Sequence, residues 1–128
     1  MMYILIPWIL AAICNAGMDI IAHKYHQSIF VKWNQHFWNP NASWTNKYKS
    51  KTSREPKFFG STTFLVFTTD AWHLFQFLSN SFMVITIMIA LSQVKDLVWW
   101  EYLIEFAILK VVWGMWFELF YKYIFRSN

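Results

Sequence analysis

Charge is scarce in this chain of 128 residues, where Asp, Glu, Lys and Arg make up 14% against 57% hydrophobic residues. A water-soluble domain of that size could not keep its surface wet with so few charges. Three Gly and three Pro leave too few turn formers for an all-β barrel. The single cysteine, Cys14, excludes an intramolecular disulfide and any Cys-based metal cluster. A basic segment ahead of the first apolar run is also missing, and Ile13 stands where a cleavage signal needs a small residue. That run is therefore expected to be a retained span.

What the chain has in excess is aromatic and aliphatic bulk, including nine Trp and thirteen Phe. Residues 1–18 carry no charge, and residues 71–94 form a run of 24 without a formal charge. Each is near or above the length that crosses a hydrocarbon layer as a helix. The expected fold is an all-α integral membrane protein forming one membrane domain over 1–128, with three transmembrane helices at about 3–22, 71–93 and 97–121. The third carries Glu101, Glu105, Lys110 and Glu118, so an interfacial amphipathic helix is its alternative. Residues 58–70 are apolar yet precede the second span. A continuous helix from 58 to 93 would be about 54 Å long, beyond the bilayer core. The sequence predicts a short interfacial or re-entrant segment there, with a helix start at Gly60-Ser61-Thr62 and a second cap at Thr68-Thr69-Asp70.

Basic residues set the expected orientation. Lys32, Lys47, Lys49, Lys51, Arg54 and Lys57 face only one acid, Glu55, so the 32–57 loop carries a net charge of +5. The connection 93–96 between the later spans holds one, Lys95. The positive-inside rule places the basic loop, about 27–57, and the C-terminus in the cytoplasm and the N-terminus outside, as in a bacterial inner membrane. Tyr3, Trp8, Trp99, Trp100 and Tyr102 would then form an outer aromatic belt, with Tyr25, Trp72, Trp116, Tyr121 and Tyr123 at the inner interface.

Against so apolar a background, a few polar residues need a reason. Asn15, Asp19 and His23 lie at i, i+4 and i+8 on one helical stripe that His26 extends, and Asp70, His73, Phe77 and Asn80 share another face. In the expected topology Asp19, His23, His26, Asp70, His73 and Glu118 reach a common depth at the cytoplasmic side. Such oxygen and nitrogen ligands suit a divalent, Zn-like metal with an open position for water. That metal would supply hydroxide for hydrolysis of a lipid or another amphiphile, with Asp19, His23, Asp70 and His73 as ligands or acid/base groups. The bland alternative is that Asp70 is a helix cap with His73 bonded to it, and that His23 and His26 end a helix among headgroups.

Trp33, Phe37, Trp38, Trp44 and Tyr48 interleave with the loop cations, a composition that holds single-stranded nucleic acid in a soluble protein. Between two spans the same composition reads as contact with anionic lipid headgroups through Lys47, Lys49, Lys51, Arg54 and Lys57, and no nucleic acid is expected. Lys110, near mid-membrane, and Glu118 are candidates for pairing with a second copy or a membrane partner. The strings Asn39-Pro40-Asn41-Ala42-Ser43-Trp44-Thr45-Asn46-Lys47-Tyr48-Lys49 and Thr69-Asp70-Ala71-Trp72-His73-Leu74 resemble signatures of small integral membrane proteins of bacteria and their phages. The resemblance implies a prokaryotic or phage membrane and carries no activity. Two function classes follow: a membrane protein with an Asp/His site acting on an amphiphile, and a non-enzymatic oligomer, either a holin-like pore or an accessory subunit.

Overall fold

The computed structural model describes residues 2–93 and 98–126. The connection predicted at 93–96 lies largely outside them, as do the side chains of Lys110 and Tyr102. Among the described residues the chain is helical and forms no strand, with two isolated bridges as its only β pairing. Its elements in chain order are α1 (Met2–Lys24), two short turns of helix α2 (Gln35–Trp38) and α3 (Pro40–Ser43), then α4 (Ala71–Ser92) and α5 (Trp99–Glu118). A π-helical turn, Leu119–Ile124, continues α5.

Helix α1 is the centre of the fold, and among the described residues α4 and α5 each pack chiefly on it. The sequence permits this because α1 carries Ala11, Ala12, Ala16 and Gly17, all buried, where neighbouring backbones must approach closely. A Cβ added at Gly17 would sit 2.7 Å from the Phe75 ring. Two long-range hydrogen bonds fix the register. Ser79 Oγ on α4 donates to the Ala11 carbonyl at 3.1 Å, and Trp8 Nε1 donates to the Leu109 carbonyl on α5 at 2.6 Å. With Gly17 against Phe75, α4 runs antiparallel to α1; with Trp8 at Leu109 and Phe125 at Phe30, α5 runs parallel to it. The three long helices therefore all present one end to the segment 25–70.

That segment folds as a cap. Phe30, 1% exposed, stacks on Trp38 with ring centres 4.7 Å apart and touches Trp33, Phe75 and Phe125. One buried ring thus ties the end of α1, the cap, the start of α4 and the C-terminal turn. Ile29 N–H donates to the Phe125 carbonyl at 2.8 Å beside a Ser28–Arg126 bridge. Tyr25 is buried with its hydroxyl on Gln35 Oε1, and so belongs to this core instead of the inner aromatic belt. Trp8 likewise faces α5, its ring 4.9 Å from Trp113, and not the outer headgroups. In both cases a polar tip found a protein partner before it found water.

Among the described residues two helices are long and apolar enough to cross a membrane, Tyr3–Gln27 and Ala71–Ala90. A core helix of a soluble protein passes the same test, but it is mostly buried, whereas only 11% of the Ala71–Ala90 window is buried in the molecule. Phe77, Val84, Ile85, Ile87 and Met88 stand exposed on it, as apolar residues of a membrane-crossing helix do. Helix α5 forms over much of the predicted third span but falls outside this pair, because Glu101, Glu105, Lys110 and Glu118 interrupt its apolar stretch.

The predicted helix start at Gly60 is absent. Gly60 takes φ +82, a left-handed conformation that ends helical propagation, and the chain turns there. Ser61 Oγ, buried in that turn, donates to the Lys47 carbonyl at 2.7 Å and accepts from Lys57 N–H at 3.1 Å. Between 60 and 70 only the single turn Val66–Thr68 is helical, of the 3-10 kind. The break ahead of the second span therefore comes at Asp70, the later of the two predicted caps.

Candidate functional site

The two strings singled out in the sequence meet in the cap. Asn39 caps α3, its Oδ1 accepting from Asn41 N–H at 3.0 Å, and Pro40 occupies the first helical turn, where a missing N–H costs nothing. The short helix that results places Asn46 so that its Nδ2 donates to the Thr69 carbonyl at 2.9 Å and to the His36 carbonyl. Asn46 thereby joins the first string to the second. On the far side of that bond Thr69 Oγ1 donates to the Val66 carbonyl at 2.7 Å, and Asp70 follows.

Asp70 is 3% exposed and fully engaged. Its Oδ1 accepts from His73 N–H at 2.9 Å, the bond of a helix N-cap, and its Oδ2 lies 2.7 Å from His73 Nδ1. A carboxylate in that position holds a proton on Nδ1, which leaves Nε2 as the acceptor nitrogen of the neutral ring. Among the described residues Nε2 has no hydrogen-bond partner, and the Trp72 ring packs edge-on at 5.0 Å. Burial of the carboxylate is offset by the His73 N–H and the His73 ring, as a buried acid requires.

The other predicted ligands do not join this pair. Asp19 is half-buried on α1, His23 and His26 are exposed, and the His26 ring rests against Tyr25 at 5.5 Å. Glu118 turns to Lys122 one helical turn on, and that hydrogen bond, with the carboxylate charge behind it, raises the Lys122 pKa. Among the described residues no group of three or more His, Cys, Asp or Glu side chains is placed to hold a metal ion. Asp19 and His23 share a stripe on α1 but form no such group with Asp70 and His73, and sequence spacing within one helix could not decide this. Glu101, too, has a local role, accepting from Val98 N–H at 2.8 Å at the start of α5.

The predicted headgroup cations divide into three kinds. Lys49 is neutralised by Glu55 at 2.8 Å across a Tyr48–Pro56 bridge, and Lys47 lies over the Tyr48 ring at 5.6 Å. Lys51, Arg54 and Lys57 are exposed. Lys57 and Lys51 each line an open cavity of about 380 Å³, and the two cavities share His36 and Asn46. Trp44 lines the Lys51 cavity, and Phe58 and Thr68 the other. His36 carried no spacing signal in the sequence. It enters because Asn34 caps α2, with Oδ1 accepting from His36 N–H at 3.0 Å, and turns that helix toward Asn46. Beside these polar walls Phe59 is 86% exposed and packs edge-on to the exposed Phe64.

Compared with protein-family models, curated proteins and solved structures, the chain matches none.

Proposed function

We propose that this chain is a multi-span membrane protein of a bacterial inner membrane, with α5 as its third span, whose cap holds the anionic headgroup of a membrane amphiphile. The N-terminus lies outside, and the cap and C-terminus lie in the cytoplasm. The observation that carries the reading is the pair of adjoining cavities that share His36 and Asn46 and have Lys51 and Lys57 on their walls. Two cations without an ion pair among the described residues, an imidazole, and exposed aromatic side chains beside them match a headgroup above an acyl chain. Phe59 and Phe64 supply the apolar contact that such a ligand's chain would need. Detergent-purified protein offered mixed anionic and zwitterionic phospholipid should retain the anionic one, and native mass spectrometry reads the ratio. Lys51→Gln with Lys57→Gln should erase that preference. Equal retention of both lipids by the unaltered chain would refute the reading.

The Asp70–His73 contact at 2.7 Å supports a second reading, in which His73 Nε2 acts as base in hydrolysis of the held amphiphile. Its metal form enlists Asp19, His23, His26 or Glu118 around a Zn-like ion and predicts stoichiometric metal on elemental analysis. Metal-free protein whose stability is unchanged by chelation sinks that form. The base itself is tested by His73→Gln, which should abolish any release of headgroup while leaving lipid retention intact.

A further inference from the structure

The polar side chains of α4 divide into two sets. Toward α1, Ser79 and Thr86 are buried and bonded, Ser79 to the Ala11 carbonyl at 3.1 Å and Thr86 to the Phe82 carbonyl at 2.8 Å. At 100° per residue Asn80 points to the other side of the helix. It is exposed, and its carboxamide has no hydrogen-bond partner among the described residues. Ten residues beyond the Asp70 cap, at 1.5 Å each, put it about 15 Å from the cap, the middle of a hydrocarbon layer about 30 Å thick. Lipid tails offer neither donor nor acceptor there. With Phe77, Ser81, Val84 and Ile85 it lines an open, mainly apolar depression of about 430 Å³. Those positions follow the 3-and-4 spacing of a helix-packing seam. Ser81 keeps the seam shallow, and its hydroxyl is already bonded to the Phe77 carbonyl at 2.8 Å.

We propose that the chain self-associates through this face, Asn80 of one copy bonding to Asn80 of a second. The choice of occupant follows from symmetry, and it rests on the membrane reading of α4 given above. Copies inserted in one bilayer share one orientation, so the two-fold axis of a dimer stands along the membrane normal. Two α4 helices facing across that axis run parallel and bring each residue to its own counterpart at the same depth. A carboxamide is both donor and acceptor, so Asn80 is complementary to itself. Asn side chains glue membrane helices in this way, and small residues such as Ser81 allow the backbones to come close. Exposed Ile87 and Met88 extend the same face beyond Val84.

The test uses the full chain in native membranes, with Cys14→Ala so that one introduced thiol reports. Val84→Cys should give a disulfide dimer on mild oxidation, and Leu10→Cys on the outer face of α1 should stay monomeric. Adding Asn80→Leu, which preserves the helix and keeps the segment apolar enough to span, should lower the Val84→Cys dimer by about fivefold or more; Asn80→Gln, which keeps the carboxamide, should retain most of it. A membrane-integral Val84→Cys protein that stays monomeric, a crosslink to a protein of another size, or full dimer in the Asn80→Leu background each overturns self-association alone. Release of the unaltered chain by alkaline carbonate overturns the membrane reading and the dimer together.

Discussion

Asp70 illustrates how one side chain can serve a helix end and a histidine at once. Its Oδ1 satisfies a backbone N–H of α4 that has no partner inside the helix, and its Oδ2 orients His73. Asp70→Ala should cost about 1–2 kcal/mol through loss of the cap, seen as a lower melting temperature in detergent and faster amide exchange in the first turn of α4. Asp70→Asn keeps an oxygen for the cap and should cost less. A second contrast lies between two glycines. At Gly17 a Cβ meets the Phe75 ring, which is held in turn by Phe30, Trp38 and Phe125, so the ring has nowhere to go. Gly17→Ala should destabilise the protein by about 1–3 kcal/mol through overpacking. Gly114 has nothing within 4 Å of an added Cβ, and Gly114→Ala should be neutral or slightly stabilising. Equal melting temperatures for the two variants would show that α1 and α4 do not pack as described. Neither contrast is visible in the sequence, where both glycines sit within apolar runs.

Among the elements, α1 and α4 are legible in the sequence alone, because an uncharged run of membrane length has few other readings. The start of α4 is legible too, as Thr-Thr-Asp ahead of an apolar run is a cap pattern. The segment 58–69 is not, since apolar aromatic residues fit an interfacial helix as well as the turns that form. Gly60 decides the matter through a backbone angle that composition does not encode. Among the described residues helix α5 is joined to α1 by one long-range hydrogen bond and one ring pair, Trp8 with Leu109 and Trp113. Trp8→Phe keeps the apolar contact, removes the donor and should cost about 0.5–1.5 kcal/mol. The spanning of α5 is a separate matter with its own readout. Thiols placed at Ile104 and Met115, both exposed, should resist a membrane-impermeant maleimide in intact cells until detergent is added. Rapid labelling of both would place α5 at the interface instead.

For the whole molecule, the cap converts a linear excess of positive charge into a surface with a particular shape. Net charge of the loop overstates what is available to a ligand, since Lys49 is spoken for by Glu55 and Lys47 lies over a ring. Lys49→Gln should therefore weaken anionic lipid retention less than Lys51→Gln or Lys57→Gln, and retention by the unaltered chain should fall as salt is raised. Equal losses for all three lysines would mean that diffuse charge, not the cavities, governs binding. The same folding explains why the predicted six-ligand centre is not assembled. Helical packing turns Gly17 of α1 toward Phe75 of α4, and Asp19 and His23 form no ligand group with Asp70 and His73 among the described residues. Glu118 is drawn aside by a lysine one turn away, an i, i+4 contact that always competes with long-range ones.

By itself the sequence determined the apolar character of the chain, the places where two helices run, and the cap at Asp70. These are properties of composition and of neighbours within one or two helical turns, so they survive without knowledge of what lies across the molecule. The tertiary structure decided which polar groups meet. Asn46 reaches Thr69 over 23 residues and Trp8 reaches Leu109 over 101, and such pairings depend on helix rotation and register. A rotation of one residue, 100°, would exchange a packed face for an exposed one. That rotation is set where Gly17 meets the Phe75 ring and Ser79 bonds to the Ala11 carbonyl, and it leaves Asn80 exposed.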